Sequence, residues 1–186
     1  MELAELLIIA IGVSMDAFAV SICKGLSVRR IRPKHAVLTA LWFGGFQALM
    51  PLAGFFLGVS FADFVSSVDH WIAFILLGVI GANMIKDSFD KDESCSVGPD
   101  FSFRTMLAMA VATSIDAFAI GVTFAFLKVN IWYAVLFIGI TTALFSAAGV
   151  YLGNLFGCRY KSKAEFTGGL ILIVMGLKIL LDHTVL

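Results

Sequence analysis

The chain has 186 residues, 60% of them hydrophobic and 14% charged, with Lys plus Arg equal to Asp plus Glu at 13 each. A soluble domain carries about a quarter charged residues, so a chain of mean hydropathy +0.99 has too few charges to cover a water-facing surface. The balanced charge also gives no footprint for nucleic acid.

Six apolar segments follow one another, at 3–24, 35–60, 68–88, 103–127, 130–157 and 165–184. Each is near the roughly 20 residues that cross about 30 Å of hydrocarbon. The start, Met1-Glu2-Leu3-Ala4-Glu5, lacks the basic region of a cleavable signal, so the first segment reads as a retained helix. The first connection is basic, Arg29-Arg30-Ile31-Arg32-Pro33-Lys34. Pro51 is expected to kink the second segment. The third connection, Lys86 to Asp100, is the long charged one, and Pro99-Asp100 signals that a helix restarts. The fourth is a tight hairpin at Lys128-Val129-Asn130, and the fifth runs from Cys158 to Lys163. The expectation is an all-α polytopic membrane protein, with 1–186 as a single transmembrane domain.

Basic residues stay on the cytoplasmic side of a membrane. Connections one, three and five with their flanks hold eleven Lys and Arg, against Lys128 alone on the opposite side. Both termini should therefore face outward.

An internal repeat organises the chain. Ser14-Met15-Asp16-Ala17-Phe18-Ala19-Val20 recurs 100 residues later as Ser114-Ile115-Asp116-Ala117-Phe118-Ala119-Ile120. A second match, offset by 95, carries Gly44, Ala48, Gly54 and Gly58 onto Gly139, Ala143, Gly149 and Gly153. The same offset carries Gly81 onto Gly176 and Asp87 onto Asp182. Residues 1–90 and 101–186 thus read as two three-helix repeats. An odd number of spans in each forces them into opposite orientations, the inverted plan of many secondary transporters.

A carboxylate near the bilayer centre costs at least about 2.5 kcal/mol and is functional by default, so Asp16 and Asp116 lead the candidate site. Inverted symmetry would bring them to a shared midplane axis. Two adjacent carboxylates repel, so one would hold a proton until a cation enters. Gln47, its repeat mate Thr142, and Asn83 are the further candidate ligands, since oxygen donors suit Mg²⁺ or Mn²⁺. Interhelical hydrogen bonding is the bland alternative for these three. Lys178, the mate of Asn83, either neutralises an aspartate in the empty state or reaches the outer surface near Asp182. Ser14 and Ser114 should lie on a different helical face from the aspartates.

Cys23, Cys95 and Cys158 match no metal or redox spacing. His35, His70 and His183 sit at segment ends, and no nucleotide loop, nucleophile motif or cofactor fingerprint occurs. An enzyme is not expected. Other readings stay open: an exporter of amino acids or of another metal, a membrane scaffold, and, more remotely, an aspartyl protease dyad.

The sequence closely resembles the MntP-type manganese efflux pumps of bacterial inner membranes, relatives of the lysine-exporter superfamily. The resemblance rests on Ser14 to Ser21, Phe43 to Gly54, His70 to Phe74, Ala112 to Val122 and the K-A-E-x-x-G-G stretch from Lys163, spread over nearly the whole chain. It implies Mn²⁺ as transported substrate, no cofactor, and a role for Asp16 and Asp116 in moving the ion. Some members of the family carry a carboxylate where this chain has Gln47. Protons as coupling ion, the lipid bilayer, and a homodimer or a lone chain complete the expected partners.

Overall fold

The structure, a computed structural model, describes residues 3–28, 30–65, 69–89, 100–156 and 160–184. Arg29, Lys91, Cys95, Pro99, Cys158 and Arg159 lie outside the described residues. The side chains of His70, Asp87, Asp182 and His183 do so as well. Every regular element among the described residues is helical: α1 (Leu3–Ser27), α2 (Pro33–Val65), α3 (Asp69–Phe89), α4 (Phe103–Thr113), α5 (Ile115–Phe126), α6 (Ile131–Phe156) and α7 (Lys161–Thr184). In lipid this is the expected outcome, because a helix satisfies its own backbone polar groups.

Among the described residues, four helical stretches are long and apolar enough to cross a membrane: Leu3–Ser27, Pro33–Ser60, Ile131–Phe156 and Lys161–Leu181. A fifth arises if α4 and α5 count as one span. The chain is thus a multi-pass helical membrane protein with four or five candidate spans against the six expected. The shortfall lies in α3, whose described apolar stretch, Ala73–Lys86, is short.

The segment expected as one helix over 103–127 is broken, with α4 and α5 meeting at 42° about Ser114. No Gly or Pro marks the spot. Ser114 Oγ donates to the Ala110 carbonyl at 2.6 Å, and Thr113 Oγ1 donates to that of Met109 at 3.0 Å. Hydroxyls that bond back to the preceding turn compete with the helix and bend it. The Ser114 N–H turns instead to the Val111 carbonyl at 3.2 Å. Ser14 makes the same back-bond to Ala10, at 2.6 Å, yet α1 stays continuous. Its neighbour is Val13 where the second repeat has Thr113, so α1 lacks the second competing hydroxyl. Pro51, by contrast, stands inside an unbroken α2.

Close helix contacts are made at glycines. α1 lies on α6, α2 on α4–α5 and on α6, and α3 on α7. A Cβ at Gly54 would stand 2.0 Å from the Phe118 carbonyl oxygen, and one at Gly153 would stand 1.9 Å from that of Ile22. A Cβ at Gly25 would likewise stand 2.0 Å from the Val150 carbonyl oxygen, and one at Gly121 would stand 2.1 Å from that of Pro51. Without a hydrophobic force between helices in lipid, such backbone-to-backbone packing holds them together. One apolar core (Ile9, Val13, Leu77, Ile120, Phe124, Ile138, Leu172) fills the middle of the bundle. A second, smaller one joins Ala17, Phe43, Met106 and Ala110.

The C-terminal end of α1 is pinned from the far side of the third connection. Lys24 is fully buried, donates from Nζ to the Asp100 carbonyl oxygen at 2.5 Å, and lies 4.7 Å from the centre of the Phe101 ring. His35 stacks on that same ring at 4.7 Å.

Candidate functional site

A polar layer sits where α1, α2 and α6 cross. Ser14 and Thr142 share a hydroxyl hydrogen bond of 2.8 Å, and Gln47 Nε2 donates to the Val13 carbonyl oxygen at 3.1 Å. Ser14, Gln47 and Thr142 are each fully buried. Gln47 Oε1 and Ser146 Oγ are buried and have no hydrogen-bond partner among the described residues. Leaving a buried acceptor unmade costs about 1–3 kcal/mol, so a bonded Gln47 amide with one open oxygen is a strained arrangement for packing alone. The sequence reading did not single out Ser146. It stands four residues after Thr142, hence on the same face of α6, and that spacing was the available signal.

The repeated aspartates are both half-buried, and neither lacks an interaction partner. At 3.6 residues per turn, Asp16 falls between two occupied arcs of α1. Gly12 and Met15 face α7 on one side; Val13 and Ala17 face α2 and α4 on the other. Ser14 points to α6, so serine and aspartate do occupy different faces. Asp116 stands in the first turn of α5, just past the break at Ser114. A helix start favours negative charge there, which Asp16, in mid-helix, does not enjoy.

The other candidates lie elsewhere. Asn83 is exposed on the outward face of α3, away from the crossing layer. Lys178 reaches across to α1 and pairs with Glu5, at the end of the bundle near the N-terminus. Among the described residues there is no group of three or more His, Cys, Asp or Glu that could hold a metal ion. The layer itself offers amide and hydroxyl oxygens.

Glu165 belongs to the K-A-E-x-x-G-G stretch but is not among the site residues expected from the sequence. It is 6% exposed, deep in the side of α7 that faces the other helices, and pairs with Lys161 at 3.7 Å.

Apolar spanning helices that enclose carboxylates, an amide and hydroxyls define a multi-pass membrane protein with a polar interior. Residues 30–180 match the family model described as "Putative manganese efflux pump". The chain belongs to this MntP family. A protein of Acetivibrio thermocellus named "Putative manganese efflux pump MntP" is 61% identical over 183 residues, covering 98% of this chain and 92% of the relative. Proteins of the same name from Desulfitobacterium hafniense and Bifidobacterium adolescentis are 58% and 53% identical. They cover 96% and 97% of this chain, and 94% and 97% of their own lengths. No solved structure matches the chain.

Proposed function

We propose that the chain exports Mn²⁺ from the cytoplasm across the bacterial inner membrane, in exchange for protons. The ion is handled by Asp16 and Asp116 with Gln47 and Thr142. The observation that carries the reading is the open Gln47 oxygen in a fully buried polar layer, within a helical turn of Asp16. The names of relatives that share 53–61% of this sequence supply the ion and the direction.

Two inverted repeats of three spans each account for the packing. The contact of Gly54 with Phe118 and that of Gly149 with Phe18 are related by the offsets 95 and 100 found in the sequence. The contacts of Gly58 with Val122 and of Gly153 with Ile22 obey the same pair of offsets. A two-fold axis in the membrane plane gives alternating access by rocking one half against the other. In this arrangement α3 is the sixth span and both termini face outward.

The break at Ser114 adds the carbonyl end of α4, which carries partial negative charge, beside Asp116. Broken helices bind coupling ions in this way in other transporters. Expelling a divalent ion from a cell negative inside opposes roughly 2.3 kcal/mol per charge per 100 mV. Protons entering on the released carboxylates supply that work.

The test is ⁵⁴Mn²⁺ movement in proteoliposomes under an imposed pH gradient, comparing wild type with Asp16→Asn and Asp116→Asn. Saturable movement lost in both folded variants supports the reading, and unchanged movement in them sinks the aspartate site. Export that persists when the proton gradient is collapsed at constant potential rules out proton exchange.

A further inference from the structure

The geometry points to Glu165 as a third ion-handling carboxylate, which receives the cation from the cytoplasm and passes it to Asp16. This rests on the transport reading above.

Glu165 lies within the apolar span Lys161–Leu181 and is 6% exposed. On α7, Gly168 packs on Met15 and Gly12 of α1, while Gly169 packs on Gly81 and Ile85 of α3. At 3.6 residues per turn, position 165 falls between these two arcs. It is opposite the exposed residues Phe166, Leu170, Val174 and Leu177, so its carboxylate faces the middle of the bundle. Asp16 occupies the matching arc of α1, between the α7-facing and the α2-facing residues and on the side away from Ser14 and α6.

Depth agrees as well. Gly168 is level with Gly12 and Met15 in an antiparallel pair. Three residues before Gly168 and one after Met15 lead to the same layer, within about one turn of 5.4 Å. Gln47 supplies an independent pointer to a ligand. It is fully buried, its Oε1 has no hydrogen-bond partner among the described residues, and its amide is held on Val13, one turn along α1 from Asp16. Lys161, on the turn before Glu165, holds its carboxylate at 3.7 Å. An arriving cation takes over that partnership.

The experiment measures initial ⁵⁴Mn²⁺ uptake into inside-out membrane vesicles against Mn²⁺ concentration. Wild type, Glu165→Gln, Glu165→Asp and Lys161→Met are compared. Glu165→Gln should raise the half-saturating concentration roughly tenfold with the maximal rate nearly kept, as expected for losing a charge from an entry site. Glu165→Asp should restore most of the affinity, and Lys161→Met, which removes the cation's competitor, should not raise the half-saturating concentration. An unchanged half-saturating concentration in Glu165→Gln overturns the assignment. So does an equal effect in Lys161→Met, which would make the pair structural. Mn²⁺ binding to the purified protein, read by electron paramagnetic resonance, separates the two readings. Where wild type binds Mn²⁺ without moving it, weaker binding in Glu165→Gln supports the assignment while the export reading falls. Equal binding overturns the assignment.

Discussion

Ser14 on α1 and Thr142 on α6 hold each other through hydroxyls 2.8 Å apart, in a layer closed to solvent. Replacing Thr142 with Val keeps the shape and removes the bond. A net loss of about 1 kcal/mol is expected, visible as a lower melting temperature in detergent. Thr142→Ser should retain most of it, because the hydroxyl remains.

The glycine contacts predict a sharp positional contrast. Gly153→Ala would drive a methyl against the Ile22 carbonyl at 1.9 Å, whereas a Cβ at Gly45 meets nothing within 4 Å. The first should separate α1 from α6 and cost several kcal/mol, at or beyond the roughly 1–3 of ordinary overpacking. The second should be neutral or slightly stabilising, since Ala is the better helix former. Thermal unfolding of the two variants side by side decides it.

Asp100 gives a pH signature. Hydrogen bonds from Thr105 first, then from the Ser102 hydroxyl and N–H, hold its carboxyl at about 2, below the ordinary 3.8. A carboxyl that ionises more readily when folded favours the fold above pH 4. The benefit disappears as pH falls from about 4 to about 2. Melting temperature across that window should therefore fall more steeply in wild type than in Asp100→Asn, and parallel curves would exclude the contribution.

The α5–α6 hairpin holds Lys128 at φ 52, in the left-handed region. The Val129 N–H reaches the Phe124 carbonyl at 3.0 Å and the Lys128 N–H that of Ala125 at 3.3 Å, the pairing that closes helices on a left-handed residue. Lys128→Gly should stabilise by about 1 kcal/mol, because a side chain there strains the backbone. A melting temperature below wild type would contradict it.

Helix content and the paired aspartates were legible in the sequence, because twenty-residue apolar runs and a duplicated charged motif are one-dimensional signals. Side-chain partnerships were not. Gln47 and Asn83 are both amides in apolar segments, yet one is fully buried and the other exposed. In a membrane helix both faces are apolar, so periodicity does not separate lipid from protein. Lys178 had two readings, and its partner turned out to be Glu5, 173 residues away. The break at Ser114 was hidden for another reason. It arises from hydroxyls folding back on the chain, without the Gly or Pro that usually marks a kink.

The anchoring of Asp100 and Phe101 on Lys24 separates the position of α4 from the length of the connection before it. Because α4 takes its starting position from that contact, residues upstream of Asp100 can change in number or charge without re-aiming the helix that leads to Asp116. Loop closure itself grows only slowly more costly with length. Residues inserted just before Asp100 should therefore leave α4 in place, while replacing Lys24 or Phe101 should shift it.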